Sequence, residues 1–216
     1  MNLKELLEAN TGRGRRRILH TFRDFCEISA LTIRNSSDLS GRSGREARYL
    51  SLIEGYAVDE IHRFAAMLGE LAMAIQAEKS DVLGDLFMRM DLGNDALGQI
   101  FTPYSMCRVG AQMAIDCTKD LLEQRDFITF SDPTCGSGGM LIALIETLQE
   151  HGINYQKVTH FTAQDVDITA VHMTYVQLSL LGVPAVVAHG DTLLQTQFDV
   201  WPTPAHITGR WSEKLR

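Results

Sequence analysis

The stretch that most constrains this chain is residues 127–140, FITFSDPTCGSGGM. A short apolar run leads into an Asp-Pro turn, three glycines follow, and a helix is expected from about Met140. A buried parallel strand, a glycine turn and a helix make the first half of a nucleotide-binding crossover. Gly136, Gly138 and Gly139 let the backbone turn sharply and approach a ligand, because no Cβ intervenes. The helix that follows points its first amides and the positive end of its dipole at whatever sits there. The spacing is neither the dinucleotide fingerprint G-x-G-x-x-G nor a P-loop, since no Gly-Lys-Ser/Thr follows. Read from spacing alone, the turn serves a ligand or merely joins strand to helix.

The remaining chain supports an α/β fold with a helical front. Residues 1–95 read as helices: a short one around Leu3, Leu6 and Leu7, one over 16–34 with Phe22, Phe25 and Ile33 at helical spacing, one over 45–53 and one over 58–77. The polar segment 36–43 breaks the pattern. Thr102 and Pro103 suit the N-cap and first turn of a helix over 104–117. After the glycine turn, a crossover helix over 141–150, a strand over 158–163, a helix over 167–181 and a third strand over 183–189 are expected. This divides the chain into a helical N-terminal region, residues 1–95, and a ligand-binding α/β domain, residues 96–216.

Asp165 closes the second strand, where an acidic residue holds a ribose through both of its hydroxyls; the same residue also suits a helix N-terminus. Gly190-Asp191 reads as a turn. The net charge of −7 disfavours indiscriminate DNA binding, but it is uneven: residues 1–48 hold ten Lys/Arg and six Asp/Glu, the rest ten and twenty-one. Arg13, Arg15, Arg16 and Arg17 form a basic cluster that reads equally as a phosphate contact with DNA or as a solvated helix start. Four scattered cysteines without a C-x-x-C pair give no metal site and fit a reduced, cytoplasmic protein. No apolar run approaches the ~20 residues of a membrane span, and the N-terminus lacks the apolar core of a secretory signal.

Asp132-Pro133-Thr134-Cys135-Gly136-Ser137-Gly138-Gly139 resembles the D-P-x-C-G-S-G-G turn of the N6-adenine DNA methyltransferases, in particular the modification subunits of type I restriction systems. Gly98-Gln99-Ile100-Phe101-Thr102-Pro103 is similar to the F-T-P motif of the same family, and Asp81-Val82-Leu83-Gly84-Asp85-Leu86-Phe87 to the D-x-L-G-x-x-F segment before it. Ala163-Gln164-Asp165 matches a G-Q-E position, and Gly190-Asp191-Thr192-Leu193 a G-D-T-L motif. The resemblance implies a class I methyltransferase core that binds S-adenosylmethionine. Asp132, Pro133, Cys135, Gly136, Ser137 and Gly138 would form its cradle. Asp165 would hold its ribose, Asp191 would accept from its adenine amino group, and Phe101, Thr102 and Pro103 would close its methionine end.

The resemblance stops at the family's N-P-P-F segment, whose Asn and Pro accept hydrogen bonds from the target amino group of a flipped base. This chain has no Pro-Pro; Thr203-Pro204-Ala205-His206 stands there as a degenerate version, with Thr203, Pro204 and His206 as candidate catalytic residues. A full sheet of the family has seven strands, and only four find room here. The last strand should therefore present an open apolar edge, covered by homo-oligomerisation, by a partner subunit or by residues 207–216 folding back. The resemblance implies a DNA methyltransferase of the N6-adenine type, alone or with a partner. The missing motif supports as an alternative a catalytically silent S-adenosylmethionine-binding protein that regulates or mimics a restriction-modification methylase. A third reading is methyl transfer to something other than DNA.

Overall fold

The computed structural model describes residues 2–12, 16–78, 80–92 and 101–216. Helices come first: α1 (Leu3–Ala9), α2 (Ile18–Ser37), α3 (Arg42–Ile53), α4 (Val58–Glu78), α5 (Val82–Arg89) and α6 (Tyr104–Leu122). Then β1 (Ile128–Asp132), α7 (Gly139–Glu150), the single turn α8 (Tyr155–Val158), β2 (Thr159–Asp165), α9 (Ile168–Leu180), β3 (Ala185–Asp191) and β4 (Thr196–Pro202) alternate, and two short helices, α10 (Pro204–Thr208) and α11 (Trp211–Lys214), close the chain. This is the α/β fold expected. Pro103 itself is the N-cap of α6, one residue later than Thr102. Among the described residues no helix is long and apolar enough to cross a membrane.

The sheet has the order β1-β2-β3-β4. The first three strands are parallel and β4 returns antiparallel to β3. Only four residues, 192–195, join β3 to β4, too few for the dozen or more that a parallel crossover needs, so a hairpin forms instead. Phe130, Phe161, Ala185 and their neighbours Ala163 and Val187 share one face by register. That face is packed under α9, which is buried nearly all round because α2, α4 and α5 cover its far side. Trp201 of β4 joins this layer, edge-on to His172 and Tyr175 of α9 and beneath the guanidinium of Arg34. The buried core runs without a break from Leu6 to Trp201, across the boundary expected at residues 95/96.

The opposite face of the sheet is different. Thr129, Ser131 and Thr162, which alternate with the inward residues, are exposed. Parallel sheets are ordinarily covered on both faces. Among the described residues, α10 and α11 cover the starting end of that face, where Trp211 packs against Phe127 and His160. The chain thus does fold back after β4, but beneath the beginning of the parallel strands. The edge strands are β1 and β4. The β4 edge is not the apolar one anticipated: Thr196, Gln197 and Asp199 are exposed beside Phe198, which stacks edge-on with His189.

Candidate functional site

β1 and β2 end side by side at Asp132 and Asp165, at the carboxyl edge of the sheet. Ligands of open α/β sheets bind at that edge. The glycine turn crosses it. Gly136 (φ +55°) and Gly138 (φ +92°) occupy the left-handed region, which side chains rarely tolerate. Space is also short: a Cβ on Gly136 would lie 3.0 Å from the Phe101 ring, and one on Gly138 3.0 Å from the Thr174 hydroxyl. The Cys135 amide donates to the Gln164 carbonyl at 2.8 Å, and Thr174 donates to the Gly136 carbonyl at 2.9 Å. The turn is therefore pinned to both β2 and α9.

Asp165 ties the two crossovers together. One carboxylate oxygen accepts from the Gly136 amide at 2.8 Å, and the other from the Asp167 amide at 2.9 Å. Each oxygen keeps a free lone pair. The amides of Ser137, Gly139, Met140 and Leu141, at the start of α7, donate to no other described residue, so the helix offers its positive end to an anion.

A cavity of about 930 Å³ lies over this turn, within the range of small-ligand pockets. Of the residues singled out from sequence, Phe101, Thr102, Asp132, Cys135, Gly136, Ser137 and Asp165 line it. Pro103, Pro133 and Gly138 do not line it. Gly98 to Ile100 of the glycine-glutamine lead-in lie outside the described residues, as do Arg13 and Arg15. The cavity's apolar lining includes Phe130, Met140 and Leu144; its charged lining, among the described residues, is Asp132, Asp165 and Asp167 against one cation, Arg23. Burial, together with nearby Asp165, pushes the Asp132 carboxyl above its usual range, although the Thr134 amide opposes this. Burial pushes the Cys135 thiol up to about 12, so it stays protonated and is no nucleophile. Amides without a described partner for a carboxylate, a carboxylate with spare acceptors for vicinal hydroxyls, and an acidic lining for a cation together fit S-adenosylmethionine, which carries all three groups.

Arg23, Val166, Asp167, Met140 and Leu144 were not foreseen as site residues. Val166 has a simple signal, since it directly follows the acidic residue that ends β2; it is 63% exposed although apolar. Arg23 had none: it reaches the cavity only because α2 packs along α9.

Other expected residues lie apart from the cavity. Asp191 turns its carboxylate back onto the Leu193 and Leu194 amides, at 2.9 and 3.0 Å, and so caps the β3–β4 hairpin; it does not line the cavity. Its neighbour Thr192 fixes that hairpin to the turn by donating to the Pro133 carbonyl at 2.5 Å and accepting from Gln164.

Thr203, Pro204 and His206 require a correction. Because β4 runs antiparallel, it returns the chain to the starting end of the parallel strands, at the end of the sheet away from the cavity. Thr203 is fully buried, donates to the Val183 carbonyl at 2.7 Å and accepts from the Ala185 amide at 3.0 Å. Pro204 opens α10. His206 is hydrogen-bonded to His160 and to Ser212, both at 2.9 Å, and burial holds its pKa below the usual value. These groups bond within the C-terminal cap and do not line the cavity over the glycine turn.

The basic cluster is also divided. Arg16 pairs with Glu60 at 3.1 Å and lies 4.0 Å over the Tyr56 ring, which makes it a packing residue. Arg17 is exposed as the N-cap of α2.

A family model described as N-6 DNA Methylase matches residues 79–209. Among solved structures, the chain is similar to one described as a class I S-adenosylmethionine-dependent methyltransferase from Listeria monocytogenes. The identity is 16%, the TM-score 0.48, and the match covers 91% of this chain and 55% of that one, so the chain spans about half the length of that structure. Among curated proteins nothing matches.

Proposed function

The chain belongs to the N-6 DNA methylase family, a family whose cofactor is S-adenosylmethionine, and from that premise we propose that it is the cofactor-holding part of a DNA methyltransferase of the N6-adenine type, completed by a partner. The observation that carries this reading is the pinned glycine turn. It combines four amides that have no partner among the described residues, the Asp165 carboxylate and a cavity of about 930 Å³ in one place at the carboxyl edge of the sheet.

When bound, the cofactor would supply an electrophilic methyl group on a sulfonium, whose leaving group is a neutral thioether. The chain's own residues would hold and orient it: α7 amides at the carboxylate, Asp165 at the ribose, Phe101 and the apolar lining excluding water. Transfer from a sulfonium needs little acid–base help, so such positioning and desolvation make up most of the catalysis. The Asn and Pro acceptors of the family's N-P-P-F segment have no counterpart among the described residues that line the cavity. The exposed face of the sheet and the free edge of β1, whose residues Phe130 to Asp132 border the cavity, support a partner subunit or a second copy there. Arg23, an exposed cation that lines the cavity, favours a phosphate contact beside it.

Genomic DNA of the source cell and of a strain lacking this gene would be compared by mass spectrometry and sequencing for N6-methyladenine. Loss of the mark at a defined sequence on deletion, restored by the wild-type gene and not by Asp165→Ala, is the expected result. An unchanged methylome with intact cofactor binding would instead favour the silent regulator, a reading supported by the placement of Thr203 and His206 away from the cavity.

A further inference from the structure

Asp81 is 6% exposed and is held by three donors. One oxygen accepts from the Gly84 amide at 2.9 Å and from the Gln177 side chain at 2.8 Å. The other accepts from the Ser137 hydroxyl. The same Gln177 amide group also donates to the Ser137 carbonyl at 2.9 Å, and its oxygen accepts from the Leu83 amide at 3.1 Å. Every polar atom of the Gln177 side chain is thus used. Two glycines make room for the carboxylate: a Cβ on Gly84 would lie 2.1 Å from the Asp81 Oδ2, and one on Gly139 3.0 Å from it.

Capping α5 does not require this arrangement. An Asp at an N-cap works at the surface, where its charge stays solvated, whereas burying a carboxylate carries a desolvation cost of several kcal/mol that only full hydrogen bonding offsets. What burial adds is the link to Ser137, the middle residue of the glycine turn. Both the hydroxyl and the carbonyl of Ser137 are drawn inward, by Asp81 and Gln177. Its amide, and those of Gly139, Met140 and Leu141, are left beside the cavity without partners among the described residues.

We propose that Asp81 is a positioning residue of the cofactor site: through Ser137 it holds the turn so that the first amides of α7 face the carboxylate of the cofactor's methionine end. This rests on the S-adenosylmethionine reading above. It also assigns a task to the helical region, which reaches the α/β part through a buried carboxylate.

The test uses the full chain with Asp81→Asn, Ser137→Ala and the double substitution. Calorimetry would read binding of S-adenosylmethionine and of methylthioadenosine, which keeps the nucleoside and lacks the amino-acid end. Amide hydrogen exchange would read residues 136–141 of the ligand-free protein. Each single substitution should weaken S-adenosylmethionine about tenfold to hundredfold, leave methylthioadenosine unchanged, and speed exchange in the turn. The double substitution should be no worse than the stronger single one. A role confined to stability would lower the melting temperature and shift both ligands alike, or neither, and would overturn the proposal. If Asp81→Asn does not fold, Ser137→Ala alone, which removes one hydroxyl, carries the same test. If the wild type binds neither ligand, the cofactor reading falls. Exchange then decides on Asp81: faster exchange in the variants keeps its hold on the turn, and unchanged exchange removes it.

Discussion

Replacing Asp165 by Asn tests the site at its most connected point. Its two oxygens accept the Gly136 and Asp167 amides, at 2.8 and 2.9 Å, and present their remaining lone pairs to the cavity. An Asn side chain has one oxygen, so whichever way it turns, one of those backbone amides meets an NH2 group instead of an acceptor. The charge that strengthens bonds to ribose hydroxyls is also lost. A hydrogen bond to a charged group contributes about 1.5–3 kcal/mol. Losing one such bond to the cofactor, with some loosening of the turn, should weaken S-adenosylmethionine by about 2–4 kcal/mol, or roughly 30-fold to 1,000-fold in Kd. The protein itself should lose about 1–3 kcal/mol of stability through the unpaired amide. Calorimetric titration, with thermal unfolding of the same samples, reads both quantities. A folded variant whose Kd stays within about threefold of wild type would refute the reasoning, because Asp165 could not then be touching the cofactor.

Gly84→Ala should destabilise by about 1–3 kcal/mol, since its Cβ would meet Asp81 and Ser137 at 2.1 and 2.4 Å; chemical denaturation checks this, and a neutral result would contradict the packing. Thr203→Val should destabilise by a similar amount through the Ala185 amide left without its acceptor, yet leave S-adenosylmethionine affinity unchanged; weakened cofactor binding in the folded variant would place Thr203 at the site after all. Stability should also fall in acid. Burial holds His172 and His160 at pKa values of about 4, below the usual 6.5, so the unfolded chain takes up protons that the folded chain refuses. The stability that their neutrality gives is present above about pH 6.5 and is lost as pH falls toward 4, by up to about 3 kcal/mol for His172. His172→Phe should flatten the melting temperature between pH 6.5 and 4, and an unchanged slope would exclude that histidine as its source.

The first strand, the glycine turn and the crossover helices were legible because each carries a local signal. Apolar runs, Gly136 and Gly138 at left-handed turns, and periodic helix faces all speak within a dozen residues. Asp165 was legible for the same reason, as the acid that ends the strand after the turn. The parts that were not legible depend on distant contacts. Arg23 comes to the cavity through the packing of α2 on α9. Asp81 reaches Ser137 across 56 residues. Thr203 and His206 were misplaced by matching order along the chain to a family pattern. The four residues between β3 and β4 already forbade a parallel crossover, and an antiparallel return carries everything after it to the other end of the sheet. Asp191 likewise follows the turn chemistry of Gly-Asp, with its carboxylate on the two amides that follow.

The most direct test of the central claim, that the glycine turn and the ends of β1 and β2 hold S-adenosylmethionine, is an NMR titration of the isotope-labelled chain with the cofactor. The account predicts saturable shifts concentrated at the amides of residues 135–141 and 165–167, with Phe101 responding and Thr203 to Ser212 silent. Shifts centred on the C-terminal cap, or none at millimolar cofactor in a folded sample, would contradict it.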